Sequence, residues 1–175
     1  MRIRRYVTDV AVTLHLPAHW EIEVAAMLSQ LGYVTLPAEV TEKVYRQLPL
    51  SREETAVVQR VPSVTEQLLA NIPRLAVVRA ILSQYETSTD SVETSPPDPT
   101  MTVGEQEIVL QGTRLLRVAS DFDTLELRGN TTSAALALMQ NRHRYVPEML
   151  DAIGQLSARS KRSQVVKELT LKEVQ

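Results

Sequence analysis

The 175-residue sequence has no cysteine, one tryptophan, one phenylalanine and five glycines. Without cysteine there is no disulfide framework and no thiolate metal site. Three histidines are too few to build a histidine-rich metal centre. No apolar run approaches the roughly 18 residues that cross a bilayer, and the start, MRIRRYVTDV, lacks the apolar core of a signal peptide. These absences lead to the expectation of a cytoplasmic protein with no membrane partner. A net charge of −2 exerts no global pull toward nucleic acid. The cations that do cluster, Arg2, Arg4 and Arg5 at one end and Arg159, Lys161 and Arg162 at the other, read as solvated ends.

What remains is rich in helix formers, and 43% of it is apolar, enough for one domain with a real core. Trp20, Val24, Met27, Leu28 and Leu31 recur at steps of three and four, which marks one buried helix face, with Gly32 expected as the residue that ends the helix. Ser51 with Glu54, and Ser63 with Glu66, have the Ser-x-x-Glu spacing of a capping box. Pro73 and Pro147 suit first helical turns. The pattern predicts helices near 3–15, 18–31, 39–48, 52–60, 64–71, 74–86, 107–126, 132–141 and 147–158, hence an all-α bundle of eight or nine helices. A polar stretch with Pro96, Pro97 and Pro99 interrupts them and reads as a mobile loop over 87–105.

Few side chains form a catalytic pattern. His15 and His19 have the i, i+4 spacing of a metal pair, but Pro17 between them breaks the helix, and His143 stands among Arg142 and Arg144. Asp121 and Asp123, two apart on a helix, diverge by about 200° and cannot face one another, although one is suited to a buried helix-to-helix contact. There is no glycine-rich phosphate loop and no nucleophile–base pairing.

The order of segments is more telling. AAMLSQLGYVTLP (25–37), LSREETAVVQRVPSVTEQLLANIP (50–73), VVRAILSQYE (77–86), RLLRVASDFDTL (114–125) and YVPEMLDAI (145–153) together resemble the HD-GYP domain, a helical output module of bacterial signalling. The resemblance spans about residues 1–158 and leaves 159–175 as a tail. It implies an HD-domain-like helical bundle whose active members are metal-dependent phosphodiesterases of cyclic di-GMP. In that family the first segment carries His-Asp as metal ligands, then Gly, with a closing Pro. Here those places hold Ser29 and Gln30, then Gly32, with Pro37 closing. The next ligand histidine falls on Val61 before Pro62, and the histidine before Glu falls on Gln84 and Tyr85 before Glu86. The Gly-Tyr-Pro loop maps onto Thr87 to Thr102, where that tripeptide is absent. The Val-Ala-Asp element reads Val118, Ala119, Ser120, while a second aspartate is kept as Asp123. HDOD domains, HD-type bundles without metals, are the neighbouring group; FDTL at 122–125 and the YVPEMLDAI ending favour the HD-GYP branch.

The resemblance therefore implies a pocket that has lost its metal, formed by Ser29, Gln30, Val61, Gln84, Tyr85 and Ser120, and a protein with no cofactor and no catalysis. It also implies a family helix that begins further upstream with another ligand histidine, so the chain is expected to be the output part of a longer regulator. Two functions follow: a signalling domain acting through protein contacts, or a sensor that binds a cyclic di-GMP-like nucleotide without cleaving it. Residual phosphodiesterase activity ranks third. For the sensor, Arg60, Arg79 and Arg117 are the cations nearest in sequence to the phosphates. The expected partners are a protein, a fused receiver or sensor domain, or a second copy of the chain.

Overall fold

The computed structural model describes residues 2–46, 48–87, 99–142 and 144–156. Within them the chain is helical, with no strand. The helices are α1 (Arg2–Thr13), α2 (Trp20–Leu28), α3 (Ala38–Arg46), α4 (Arg52–Val58), α5 (Val61–Leu69), α6 (Ala76–Thr87), α7 (Val103–Leu127) and α8 (Thr132–Gln140), followed by α9 at 147–156. A 3-10 turn, Leu31–Thr35, links α2 to α3.

The 25-residue α7 is the axis of the bundle, and α1, α2, α6 and α8 pack against it. Its sequence is apolar on more than one face. Leu115, Leu116, Val118, Ala119 and Phe122 are all buried, which a helix surrounded by neighbours requires. Phe122 meets the Tyr6 ring of α1 edge to face at 5.4 Å, the geometry favoured by the aromatic quadrupole. A smaller cluster of Leu36, Val40 and Val61 fastens α3 and α5 to the 3-10 turn.

Helix ends follow local chemistry. Ser51 caps α4 in the expected reciprocal box with Glu54. A second box joins Thr102 to Glu105, so α7 begins four residues before its apolar periodicity suggests. At the far end of α7, Gly129 adopts φ 81°, while the amides of Gly129 and Asn130 donate to Glu126 and Leu125, closing the helix as a Schellman turn.

Three sequence expectations are corrected. Ser63 is no cap: α5 starts at Val61 with Pro62 in its first turn, whose fixed φ is already helical, so Ser63 and Glu66 lie inside the helix. Pro73 sits in the turn before α6, where Arg74 takes φ 65°, and helix resumes only at Ala76. Gly32 is not a left-handed helix terminator; α2 stops at Leu28 and Gly32 lies buried within the 3-10 turn. Pro147 does open α9. His15 and His19 fall in the α1–α2 connection, as the proline between them dictates. The stretch 88–98 of the expected loop, His143, and the tail 159–175 with Arg159, Lys161 and Arg162 lie outside the described residues.

Candidate functional site

The ligand-like positions converge on the junction of the 3-10 turn, α6 and α7, though not all reach one space. A cavity of about 240 Å³ is lined by Gln30, Tyr85, Ser120 and Asp123, together with Tyr33 and Tyr45. Ser29, Val61 and Gln84 are not among its lining residues. Ser29 is buried and donates its hydroxyl to the Ala26 carbonyl at 3.0 Å, one turn back in α2. Val61 is buried in the small apolar cluster beneath Gly32. Gln84 leaves Oε1 buried with no hydrogen-bond partner.

Among the described residues, Asp123 is the only carboxylate lining the cavity. Burial raises its pKa above the ordinary aspartate value, opposed by the Arg2 guanidinium. Arg2 Nε lies 2.7 Å from Asp123 Oδ1, an ion-pair contact without hydrogen-bond alignment. The same guanidinium reaches Glu126 Oε2 at 2.8 Å, and the Tyr6 hydroxyl donates to that oxygen at 2.6 Å. Arg2 is thus no solvated end: its side chain is 49% exposed, yet it ties α1 to α7 beside the cavity. A sequence signal for this existed. Arg2 and Tyr6 stand i, i+4 on one helix, Asp123 and Glu126 i, i+3 on another, two complementary stripes.

Tyr85 carries a phenol whose pKa burial pushes up, partly offset by nearby Ser120. Ser120 is only 5% exposed, and its Oγ makes no hydrogen bond of full geometry. Asp121 points elsewhere, as helical spacing requires. It pairs with Arg144 and accepts from the Tyr145 hydroxyl at 2.6 Å, so the two aspartates serve different neighbours. Burial and Asp121 push the Tyr145 phenol up to about 12.

The three cations expected near a phosphate are absent from the cavity lining. Arg117 is buried and donates to the Gln84 and Tyr85 carbonyls at 3.4 and 3.5 Å, in the last turn of α6, where a cation complements the helix dipole. Burial and Arg144 lower its pKa. Arg79 pairs with Glu66 across α5 and α6. Arg60 is exposed just before α5.

A family model described as HD domain matches residues 1–149, and the chain belongs to the HD domain family. No curated protein and no solved structure matches it. The family is of the metal-dependent hydrolase type, and the donors present here do not fit a divalent metal. Glutamine, serine and tyrosine side chains are neutral and weak toward such ions, and a single carboxylate in the cavity lining, among the described residues, is too few anionic donors for one. Among the described residues, no group of three or more His, Cys, Asp or Glu side chains is placed to hold a metal. No helix of the described residues is long and apolar enough to cross a membrane.

Proposed function

We propose that this HD domain does not hydrolyse a substrate and acts as a signalling or regulatory module through protein contacts, in the cytoplasm and coupled to a receiver or sensor domain. The HD-GYP branch accounts best for its segment order. One observation carries the reading: Gln30, Tyr85 and Ser120 line the cavity with Asp123 as its single carboxylate among the described residues. Metal-activated hydroxide, the nucleophile of such hydrolases, needs several anionic or imidazole donors around one open position.

A nucleotide sensor has weaker support. A cavity of about 240 Å³ is below the ~300–1,000 Å³ of typical small-molecule sites, and the charged group lining it is a carboxylate, which repels phosphate. Residual phosphodiesterase activity has the least support, since the donor set is unsuited to the metals it requires.

The test is elemental analysis of the purified protein, with calorimetry against cyclic di-GMP on the same sample. The expected outcome is no stoichiometric iron, manganese or zinc and no heat of nucleotide binding. One or two metal ions per chain, with cleavage of cyclic di-GMP, would overturn the proposal. Saturable binding without cleavage would replace it with the sensor.

A further inference from the structure

Two buried oxygens of the side chains that line the cavity, one on Asp123 and one on Ser120, lack a hydrogen-bond partner of full geometry among the described residues. Asp123 Oδ1 is buried and, although Arg2 Nε lies 2.7 Å away, it accepts no hydrogen bond of full geometry. Ser120 Oγ, in a residue only 5% exposed, makes none of full geometry either, and Gln30 lines the same cavity. Around them stand Tyr33, Tyr45 and Tyr85, whose ring faces and phenol oxygens both attract positive charge. A cluster of acceptors and aromatic rings in a partly desolvated space favours a group with several N–H donors and a positive charge.

The dimensions narrow the choice. The volume suits one side chain or a small organic cation, not a dinucleotide. The rim is apolar: Tyr45 and Leu127, each 56% exposed, line the same cavity. An apolar rim around a small polar pocket is the anatomy of a protein contact with a single anchoring side chain. We propose that this cavity receives a cationic side chain, arginine or lysine, presented by a partner protein, so that an organic cation occupies the space in which related domains hold metal. The inference rests on the protein-contact reading above and deepens it.

Amide NMR of the whole chain tests it with two probes, ethylguanidinium chloride and a blocked Leu-Arg-Leu tripeptide, each against sodium chloride of equal ionic strength. The expected result is saturable shifts at Gln30 and Ser120 with both probes, and tighter binding of the tripeptide, whose leucines cover Tyr45 and Leu127. Asp123→Asn is expected to weaken binding at least about tenfold. Tyr45→Ala, at an exposed position that leaves the core intact, is expected to weaken it about 2- to 5-fold and decides the matter if the aspartate variant does not fold. No shift with either probe, or shifts unchanged in the folded variants, would overturn the inference. Binding of ethylguanidinium but not of the tripeptide would overturn the assignment to a partner's side chain. A metal-free protein that ignores both probes sinks this inference alone; a metal-loaded protein sinks the function it rests on.

Discussion

Replacing Gly32 by alanine adds one methyl group at the most closely pressed of the five glycines, where α5 packs in. A Cβ built there lies 2.4 Å from Thr65 Oγ1, 2.7 Å from Val61 Cγ1 and 2.7 Å from the Val61 carbonyl oxygen. Ordinary contact begins near 3.4 Å, so the backbone oxygen is about 0.7 Å too close. A side chain could swing aside, but a carbonyl inside the first turn of α5 cannot. That oxygen also accepts the Thr65 hydroxyl at 3.0 Å, so the methyl strikes both ends of a buried hydrogen bond. Overpacking costs about 1–3 kcal/mol and a disrupted hydrogen bond about 1 more, giving a loss of about 2–4 kcal/mol. For a domain of this size the melting temperature would fall by roughly 4–16 °C.

Urea denaturation followed by helical circular dichroism measures this as a lower midpoint at unchanged slope. Gly104→Ala is the control. It lies near the start of α7 with nothing within 4 Å of the added carbon, so alanine there is expected to stabilise by about 0.5–1 kcal/mol. Opposite signs at the two glycines support the packing account. A Gly32→Ala protein within about 0.5 kcal/mol of the parent would refute it, because no close approach would then be holding the 3-10 turn against α5.

Three further outcomes follow from the same coordinates. Thr102→Ala removes a real cap and should cost about 1 kcal/mol in chemical denaturation, whereas Ser63→Ala, inside α5, should change stability by less than about 0.5 kcal/mol; equal costs would contradict the observed helix starts. Asp123 has a raised folded pKa, so its contribution to stability is full below the ordinary aspartate value and is lost as pH rises through the raised one. The stability of the parent relative to Asp123→Asn should therefore fall between acid and neutral pH, and a difference that grows instead would reverse the assignment. Tyr145, pushed up to about 12, contributes stability that is full below pH 10 and lost as pH rises toward 12. Ultraviolet titration should show one late-ionising phenol fewer in Tyr145→Phe than in the parent, the Tyr6 and Tyr85 phenols being raised as well.

The all-helical class was legible because period and composition agree along the chain, and the helix bodies lie close to where periodicity places them. The errors cluster at ends, where one residue decides. Ser63 has the capping spacing, yet Pro62 fixes an earlier start; Thr102 has the same spacing and is a true cap that polar, proline-rich surroundings obscure. Gly32 was legible as a special position but not for the right reason. Sequence suggests a left-handed terminator, whereas the requirement is the absence of a side chain where Val61 and Thr65 press in. Of the pocket positions, Gln30, Tyr85 and Ser120 meet around one space, while Ser29 and Val61 are packing residues and Gln84 lies outside the lining. Arg2, Tyr33 and Tyr45 were missed because their parts depend on tertiary neighbours that no local pattern names.

On the proposed reading, the fold tolerates changes at the cavity because much of its packing lies elsewhere. Phe122 and Ile81, fully buried, belong to the main core that α7 shares with its neighbours, while Ser120 and Asp123 line the cavity from the same helix. Along α7 the residues therefore alternate between two duties within one turn: Ser120 and Asp123 at the cavity, Phe122 and Asp121 toward Tyr6 and Arg144 respectively. A substitution at Ser120 or Asp123 therefore changes the chemistry of the cavity without removing an apolar side chain from the core. Asp123 differs from Ser120 in one respect, since burying a lone carboxylate is costly. Its pairing with Arg2 offsets part of that cost from within the chain, beside the neutral side chains that line the same cavity. On the proposed reading, one aspartate among neutral side chains is too few donors for a metal but enough for a single organic cation, so a partner's side chain can be accommodated with no change of scaffold.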